Sequence, residues 1–493
     1  MIPERLQPLV AETAEVAARF RAAGRRLYLV GGVVRDLIVN RLGDGADLDF
    51  ATDARPEETE AIVTGWADAV WLQGKRFGTI GFRKAGRVYE VTTFRAEAYV
   101  PESRKPAVAF ADELEADLSR RDFTINAMAL ALPSMELVDP FGGVDDLAAK
   151  RLRTPLVPAE SFTDDPLRML RAARFIAGYA MVPDPAVVSA VQSLHHRLAI
   201  VSAERIRDEL DKLVSVPDPA MGLWFIVNTG LAGEFLPELP ALAVEQDPIH
   251  RHKDVLAHTI AVVGNTPPDR LLRLAALFHD VGKPKTRSIG PGGVSFHHHE
   301  MVGARMTRER MQALKYSTED VEVVSTLVEL HLRFHTYKMG WTDKAVRRYV
   351  RDAGPLLDRL NQLTRADCTT RNPQKARALA RRMDELEARI ADLREQEELD
   401  ALRPELDGRE VMARLGIPPG PEVGRALAFL LDLRLDEGVL GPDEAGRRLD
   451  AWWAAQRGAP SGGAGGRRRA GRSGSGNSDS SGGSGSSGRS SAP

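Results

Sequence analysis

Hydrophobic and polar positions along the chain change period once. Between residues 26 and 150 the apolar positions fall in short β-rich runs, LYLVGG, DLDFAT, AVWLQ, TIGFR and RVYEVTTF, with VVRDLIVN and NAMALAL following helical spacing between them. From Ser161 onward nearly every segment reads as an amphipathic helix broken by Pro and Gly, as in SFTDDPLRMLRAARFIAGY, SAERIRDELDKLV, DRLLRLAALFHDVG and ARALARRMDELEARIADLREQEEL. The pattern predicts an α+β fold: an N-terminal head over residues 1–155 with a small mixed β-sheet, followed by an all-α remainder in three units at 156–240, 250–371 and 372–457. The stretch from Pro237 to Pro248 reads as one hinge and the segment after Arg371 as another. Residues 458–493 are dominated by Gly, Ser and Arg. Such a segment cannot bury a core and is predicted to be a disordered, solubilising tail, with Arg467, Arg468 and Arg469 as a phosphate contact in the alternative.

Composition narrows the class. At 493 residues and 43% hydrophobic content the chain can fill several cores. The start, MIPERLQPLV, lacks a basic region followed by an apolar one, and no run approaches the roughly 18 apolar residues that span a bilayer. A cytoplasmic protein without a membrane partner is expected. One cysteine, Cys368, excludes an internal disulfide framework and reads as a small buried hydrophobe. A formal net charge of −2 requires any nucleic-acid binding to rest on local basic surfaces. No sequence signal specifies an oligomeric state.

Candidate chemistry begins in GGVVRDLIVNRLGDGADLDF, residues 31–50. A strand over Leu27–Val30 runs into Gly31 and Gly32 and then a helix bearing Arg35. Glycines let the backbone approach a ligand, and a helix N-terminus offers free N–H groups to phosphate. On the next strand, alternation places Asp47 and Asp49 on one face with Leu48 and Phe50 turned to the core. Two carboxylates held so close repel unless a divalent cation lies between them, and Mg²⁺ prefers such hard oxygen donors while leaving positions for substrate phosphate. Further along, DLSRRDFTINAM gathers Arg120, Arg121, Asp122 and Asn126 at the start of a helix, and DPFGG forms a turn. In DDPLRMLRAARF, Asp165, Arg168 and Arg171 share a polar side with Arg174 one step on, opposite Met169, Leu170, Ala173 and Ile176. A stripe of arginines without lysine suits planar, bidentate recognition.

GGxVRD, DLDFAT, DLxRRDFTxNAM, DPFGG, DDPLRMLRAxRF and SAERIRDEL, in this order and at these spacings, resemble the class II CCA-adding tRNA nucleotidyltransferase and bacterial poly(A) polymerase family, most closely its actinobacterial type with an HD domain. The resemblance implies a nucleotidyltransferase head, an all-α neck with a base-recognition helix, and a helical body and tail that bind RNA. It implies Asp47 and Asp49 as catalytic Mg²⁺ ligands, and Gly32 and Arg35 as triphosphate contacts. Arg121 is then a nucleotide contact and Asp122 a reader of the ribose hydroxyl. Asp165 and Arg168 would present a protein template to the incoming base, with Arg171 and Arg174 as further nucleotide contacts. Where the family opens this motif with Glu-Asp, the chain has Asp164-Asp165; the leading acid supports the turn, so little change is expected. The implied partners are tRNA, CTP and ATP, and the implied reaction is template-independent addition of CCA with release of pyrophosphate. Addition of poly(A) tails by the same fold, or an HD hydrolase with a non-catalytic RNA-binding head, are the alternatives. Glu90, in RVYEVTTF, has the strand context of a third carboxylate but reads equally as a structural acid and stays outside the set. The segment LGIPPGPEVG reads either as a phosphate grip at a helix start near Pro421 or as a plain turn.

A second constellation follows. His258 lies in DVLAHT, His279 and Asp280 in LAALFHDVGKP, His297 to His299 in FHHHE, His331 in ELHLRFH and Asp367 in TRADC. This spread resembles the HD superfamily of metal-dependent phosphohydrolases. The implied metal ligands are His258, His279, Asp280 and Asp367, and imidazole with carboxylate suits Mn²⁺, Ni²⁺ or Fe²⁺.

Overall fold

The structure, a computed structural model, describes residues 6–43, 48–98, 107–244, 254–290, 293–336, 341–370, 372–397 and 403–458. The head is organised on one mixed sheet. Its strands are β1 (Leu27–Val30), β2 (Leu48–Thr52), β3 (Ala69–Trp71), β4 (Thr79–Lys84) and β5 (Arg87–Thr93); after a separate hairpin of β6 (Arg95–Ala98) and β7 (Ala107–Phe110) come β8 (Ala129–Ala131) and β9 (Glu136–Val138). The order is β3-β4-β5-β2-β1-β8-β9, with β2 and β5 parallel and the other neighbours antiparallel. Alternation gives the sheet two distinct faces. Leu29, Leu48, Phe50, Ile80, Phe82 and Val91 point into the main core, where they meet the helices Gln7–Ala22 and Pro56–Val63. Asp49 and Glu90 stand on the opposite face.

Two local expectations for the head are corrected. NAMALAL is not helical: Thr124–Asn126 form a single 3₁₀ turn, and Ala129–Ala131 form β8, paired along β1 with Tyr28 opposite Ala131. A short apolar run fits either period, and the open edge of β1 decides for the strand. Arg120, Arg121 and Asp122 accordingly follow the end of the helix Leu114–Ser119 instead of opening a new one.

Beyond the head the chain is helical, with one departure, a hairpin of Arg287–Gly290 and Gly293–Phe296 in which Ile289 and Val294 pair. The chain forms two compact units, Met1–Leu402 and Arg403–Pro493. The helix Pro373–Glu397, expected in the C-terminal body, buries Met383, Leu386, Ile390 and Leu393 in the core of the first unit. The second unit has its own small core of Val411, Val423, Ala426, Leu430, Ala445 and Leu449 under the helices Gly408–Leu415, Pro421–Glu437 and Pro442–Gly458. Asp407 caps the first of these by accepting from the N–H groups of Arg409 and Glu410, and the Glu410 carboxylate returns to the Asp407 N–H. The tail from residue 459, with its arginine cluster, and the hinge residues 245–248 lie outside the described residues. Among the described residues no helix is long and apolar enough to cross a membrane.

Candidate active site

A cleft of about 550 Å³ opens on the polar face of the head sheet and reaches the neck helix Leu167–Tyr179. Gly32, Arg35, Asp49, Arg121, Asp122, Asp165, Arg168, Arg171 and Arg174 all line it. Asp47 lies outside the described residues. Glu90 also lines the cleft and is the register partner of Asp49 across the parallel β2–β5 pair, so both carboxylates leave the sheet side by side. Hard oxygen donors so placed fit a divalent cation.

The turn after β1 places Gly31 at φ 77°, in the left-handed region. A Cβ there would stand 3.0 Å from Nη1 of Arg121, so the glycine also makes room for that guanidinium. Arg35 projects from the short helix that follows, donating from Nη1 to Oδ1 of Asn126 at 2.6 Å and from Nε and Nη2 to the Asp36 carboxylate at 2.9 and 2.8 Å. The Tyr179 hydroxyl donates to Asp36 at 2.7 Å, and burial pushes that phenol up to about 12. Arg120 and Arg121 are held by buried Asp117 at 2.7 and 3.1 Å.

Asp122 is the hub between head and neck. Its Oδ1 accepts from the Phe123 N–H and the Asn126 amide, each at 2.9 Å, and its Oδ2 accepts from Nε and Nη2 of Arg171 at 2.8 and 2.6 Å. Burial alone would raise this carboxyl; the Arg171 guanidinium and the amide donors outweigh it and hold the group below the usual carboxylate range. With four acceptor positions filled, a ribose hydroxyl reaching Asp122 has to displace a donor. Arg171 and Arg174 share buried Glu209 at 3.3 and 2.9 Å.

Asp165 and Arg168 flank a break in the neck. The helix Pro158–Asp164 ends, Asp165 adopts an extended conformation, and Pro166 starts the next helix, where its missing N–H costs nothing. Asp165 pairs with Arg205 at 2.9 Å, and the buried Arg168 donates from Nη1 to the Ser161 hydroxyl at 2.7 Å and from Nη2 to the Arg120 carbonyl. Sequence reasoning missed Ser161, Arg205 and Glu209 as holders of these groups. Arg205 and Glu209 were visible as an i, i+4 pair in SAERIRDEL, but which residues they face is settled only by how the helices pack.

The second constellation converges 50 to 160 residues further along the chain. Nε2 of His258 lies 2.9 Å from Asp367 and 3.6 Å from Asp280, and Nε2 of His279 lies 3.2 Å from Asp280 and 3.7 Å from Asp367. Lys283 donates to Oδ2 of Asp280 at 2.6 Å. His299 and His331 join the same buried Asp280 from its other side, and His335 stands 3.7 Å from Asp367 at the rim. Burial pushes the His331 imidazole down to about 3. Imidazole and carboxylate donors at these spacings fit a divalent metal.

Comparison with known proteins agrees with this geometry. The poly A polymerase head domain matches residues 27–153, the probable RNA and SrmB-binding site of polymerase A matches residues 181–242, and the HD domain matches residues 255–393. These define a nucleotidyltransferase head joined to an HD domain. An A-adding tRNA nucleotidyltransferase of Deinococcus radiodurans is 37% identical over 439 residues, covering 86% of this chain and 95% of that protein. A CC-adding tRNA nucleotidyltransferase of Thermus thermophilus is 34% identical over 456 residues, covering 88% and 95%. The chain belongs to the tRNA nucleotidyltransferase family. A CCA-adding enzyme of Streptococcus gordonii is 41% identical over 239 residues, 48% of this chain and 58% of that enzyme. In fold the chain matches the Bacillus stearothermophilus CCA-adding enzyme solved in complex with CTP, with a TM-score of 0.69 at 24% identity over 92% of this chain and 99% of that one.

Proposed function

We propose that the protein adds CCA to the 3′ end of tRNA, taking CTP and then ATP and releasing pyrophosphate. One observation carries the reading: the carboxylates of Asp49 and Glu90 and the base-reading candidates Asp165 and Arg168, far along the sequence from both, line one cleft. Asp49 and Glu90, with Asp47, would hold Mg²⁺. The ion supplies charge neutralisation for the attacking and leaving oxygens of an in-line displacement. Gly32 and Arg35 take the triphosphate, Arg121, Arg171 and Arg174 complete the cationic wall, and Asp165 with Arg168 selects C or A without a nucleic-acid template. The helical body and tail over residues 372–457 bind tRNA by shape and backbone. The reaction belongs in the cytoplasm, where tRNA matures. The HD domain is a phosphohydrolase whose metal, of the Mn²⁺, Ni²⁺ or Fe²⁺ type, is held by His258, His279, Asp280 and Asp367.

A second reading has a specific basis, because the two relatives matched over most of the chain are named A-adding and CC-adding. Purified protein offered tRNA lacking its CCA end, with labelled CTP and ATP in separate and combined reactions, decides between them. Ordered addition of C, C and A supports the proposal. Incorporation of C alone, or of A only onto tRNA already ending in CC, replaces it with a partial activity, and long A tracts on unstructured RNA replace it with a poly(A) polymerase.

A further inference from the structure

The cleft extends past its carboxylates. β1 runs antiparallel to β2 with Leu29 opposite Phe50, so the turn of Gly31 and Gly32 leaves β1 beside Asp49. Glu90 stands one strand further on, on β5, and Thr92 follows it on the same face of that strand. Thr79 on β4 is the register partner of Thr92, and their hydroxyl oxygens are 2.9 Å apart. Both threonines line the cleft, half-buried. Arg95 lines it too; its Nη2 donates to Oγ1 of Thr79 at 3.4 Å, and its N–H donates to buried Asp117 at 3.2 Å. Across the sheet the groups therefore run from a glycine turn with Arg35, through two carboxylates, to a pair of hydroxyls backed by a guanidinium.

That order bears on where an attacking nucleotide lies. In an in-line displacement the 3′ oxygen bonds to the α-phosphorus on the side opposite the leaving pyrophosphate. The bridging α–β P–O bond breaks, and the hydroxyl proton passes to water. With pyrophosphate at Gly32 and Arg35, and the incoming nucleoside directed to Asp165 and Arg168, the RNA end has to enter over β5 and β4. The two threonines carry two hydroxyl hydrogens, and the contact between them uses one. Whichever residue donates, one O–H and spare lone pairs remain without a partner among the described residues. The hydroxyl next to the reacting 3′-hydroxyl, which RNA has and DNA lacks, both donates and accepts and so matches them.

Given the nucleotidyl transfer proposed above, we infer that Thr92 and Thr79 seat the terminal ribose of the RNA being extended and hydrogen-bond its 2′-hydroxyl, with Arg95 positioning Thr79. Selection of an RNA end then resides on the sheet, apart from the neck residues that choose the incoming nucleotide. A cross-strand threonine pair without a ligand would serve the sheet alone, and the two roles give different results.

For the test, tRNA ending before its CCA or after its CC carries a ribose or a 2′-deoxyribose at its last nucleotide, and kcat/KM with labelled CTP and ATP is measured on each. The parent should prefer the ribose end about 10-fold, as the loss of one hydrogen bond predicts. Thr92→Val keeps the shape and should bring that ratio to within about 2-fold of one, chiefly through loss on the ribose-ended tRNA; Thr92→Ser should restore it. Thr79→Val should lower the ratio as well, and all three variants should unfold near the parent temperature. Equal losses on both substrates with the ratio unchanged, or a parent ratio near one, overturn the ribose seat and leave nucleotide addition standing. No incorporation by the parent on any ribose-ended tRNA overturns the underlying reaction and the seat with it.

Discussion

At the scale of single residues, the cleft separates groups that do chemistry from groups that hold them. Asp49 is exposed on its strand and lines the cleft, so if it holds the proposed Mg²⁺, Asp49→Ala should lower nucleotide addition at least about 100-fold while tRNA binding, measured by filter retention, stays near its parent value. Retained turnover would remove the metal role. Glu90 is the partner of Asp49 in register, and Glu90→Gln keeps the shape while removing the charge; a loss of about 10- to 100-fold is expected, recovered in part at higher Mg²⁺. Arg168 is a different case, because its guanidinium is fixed from behind by Ser161 and the Arg120 carbonyl. Arg168→Ala should reduce discrimination between CTP and ATP by about 10- to 100-fold, the worth of one well-placed bidentate contact, with a smaller effect on affinity for tRNA. Ser161→Ala leaves Arg168 in place but loosens its aim. It should weaken the same discrimination with little change in the rate of adding the correct nucleotide, a split that a purely structural role for Ser161 does not produce.

At the scale of elements, the strands and long helices were legible because each carries a clean period. LYLV, LDFAT and RVYEVTT became β1, β2 and β5, with Asp49 turned away from Leu48 and Phe50 as predicted, and the apolar stripe of the arginine helix, Met169, Leu170, Ala173 and Ile176, is buried as its spacing required. Features set by pairing partners were not legible. NAMALAL became a 3₁₀ turn and a strand because β1 had an edge to fill, and Glu90 came to line the cleft beside Asp49 because β5 runs parallel to β2 in one particular register. Likewise, the ion pairs that hold Asp165 and Arg171 depend on which helix packs against the neck, and no local pattern encodes that choice. Gly31 joins the two levels, since the GG pair announced a tight turn but not the arginine packed over it. Gly31→Ala forces a side chain into a left-handed conformation, at about 1–2 kcal/mol, and drives its methyl to 3.0 Å from Arg121. The expected result is a modest fall in unfolding temperature and a rise in KM for both nucleotides larger than the fall in kcat; an unchanged KM would show that Arg121 does not need this space.

At the scale of the whole first unit, two candidate sites share a scaffold without sharing a residue. The helix Ala203–Ser215 supplies Arg205 and Glu209 to the nucleotide cleft, and its far end meets the HD helix Arg270–Phe278. The junction between them is polar and partly buried. Arg273, almost fully enclosed, donates to the carbonyls of Thr266, Val214, Val216 and Pro217, while Arg270 bridges Asp211 and Asp320 at 3.2 and 2.9 Å. Asp280→Asn and Arg273→Met therefore probe opposite ideas. Removing the Asp280 carboxylate takes away a ligand of the proposed HD metal and leaves every contact of the neck helix intact, so nucleotide addition should stay within about 2-fold of the parent. Arg273→Met keeps both sets of candidate site groups but leaves the buried Thr266 and Val214 carbonyls and the partly exposed Val216 and Pro217 carbonyls short of a donor, a loss of about 2–4 kcal/mol that falls on the seat of Arg205 and Glu209. Thermal unfolding should drop, and discrimination between CTP and ATP should weaken together with HD metal affinity in the same variant. If Asp280→Asn instead impairs nucleotide choice while Arg273→Met spares it, communication between the sites runs through the metal centre and not through the shared helix.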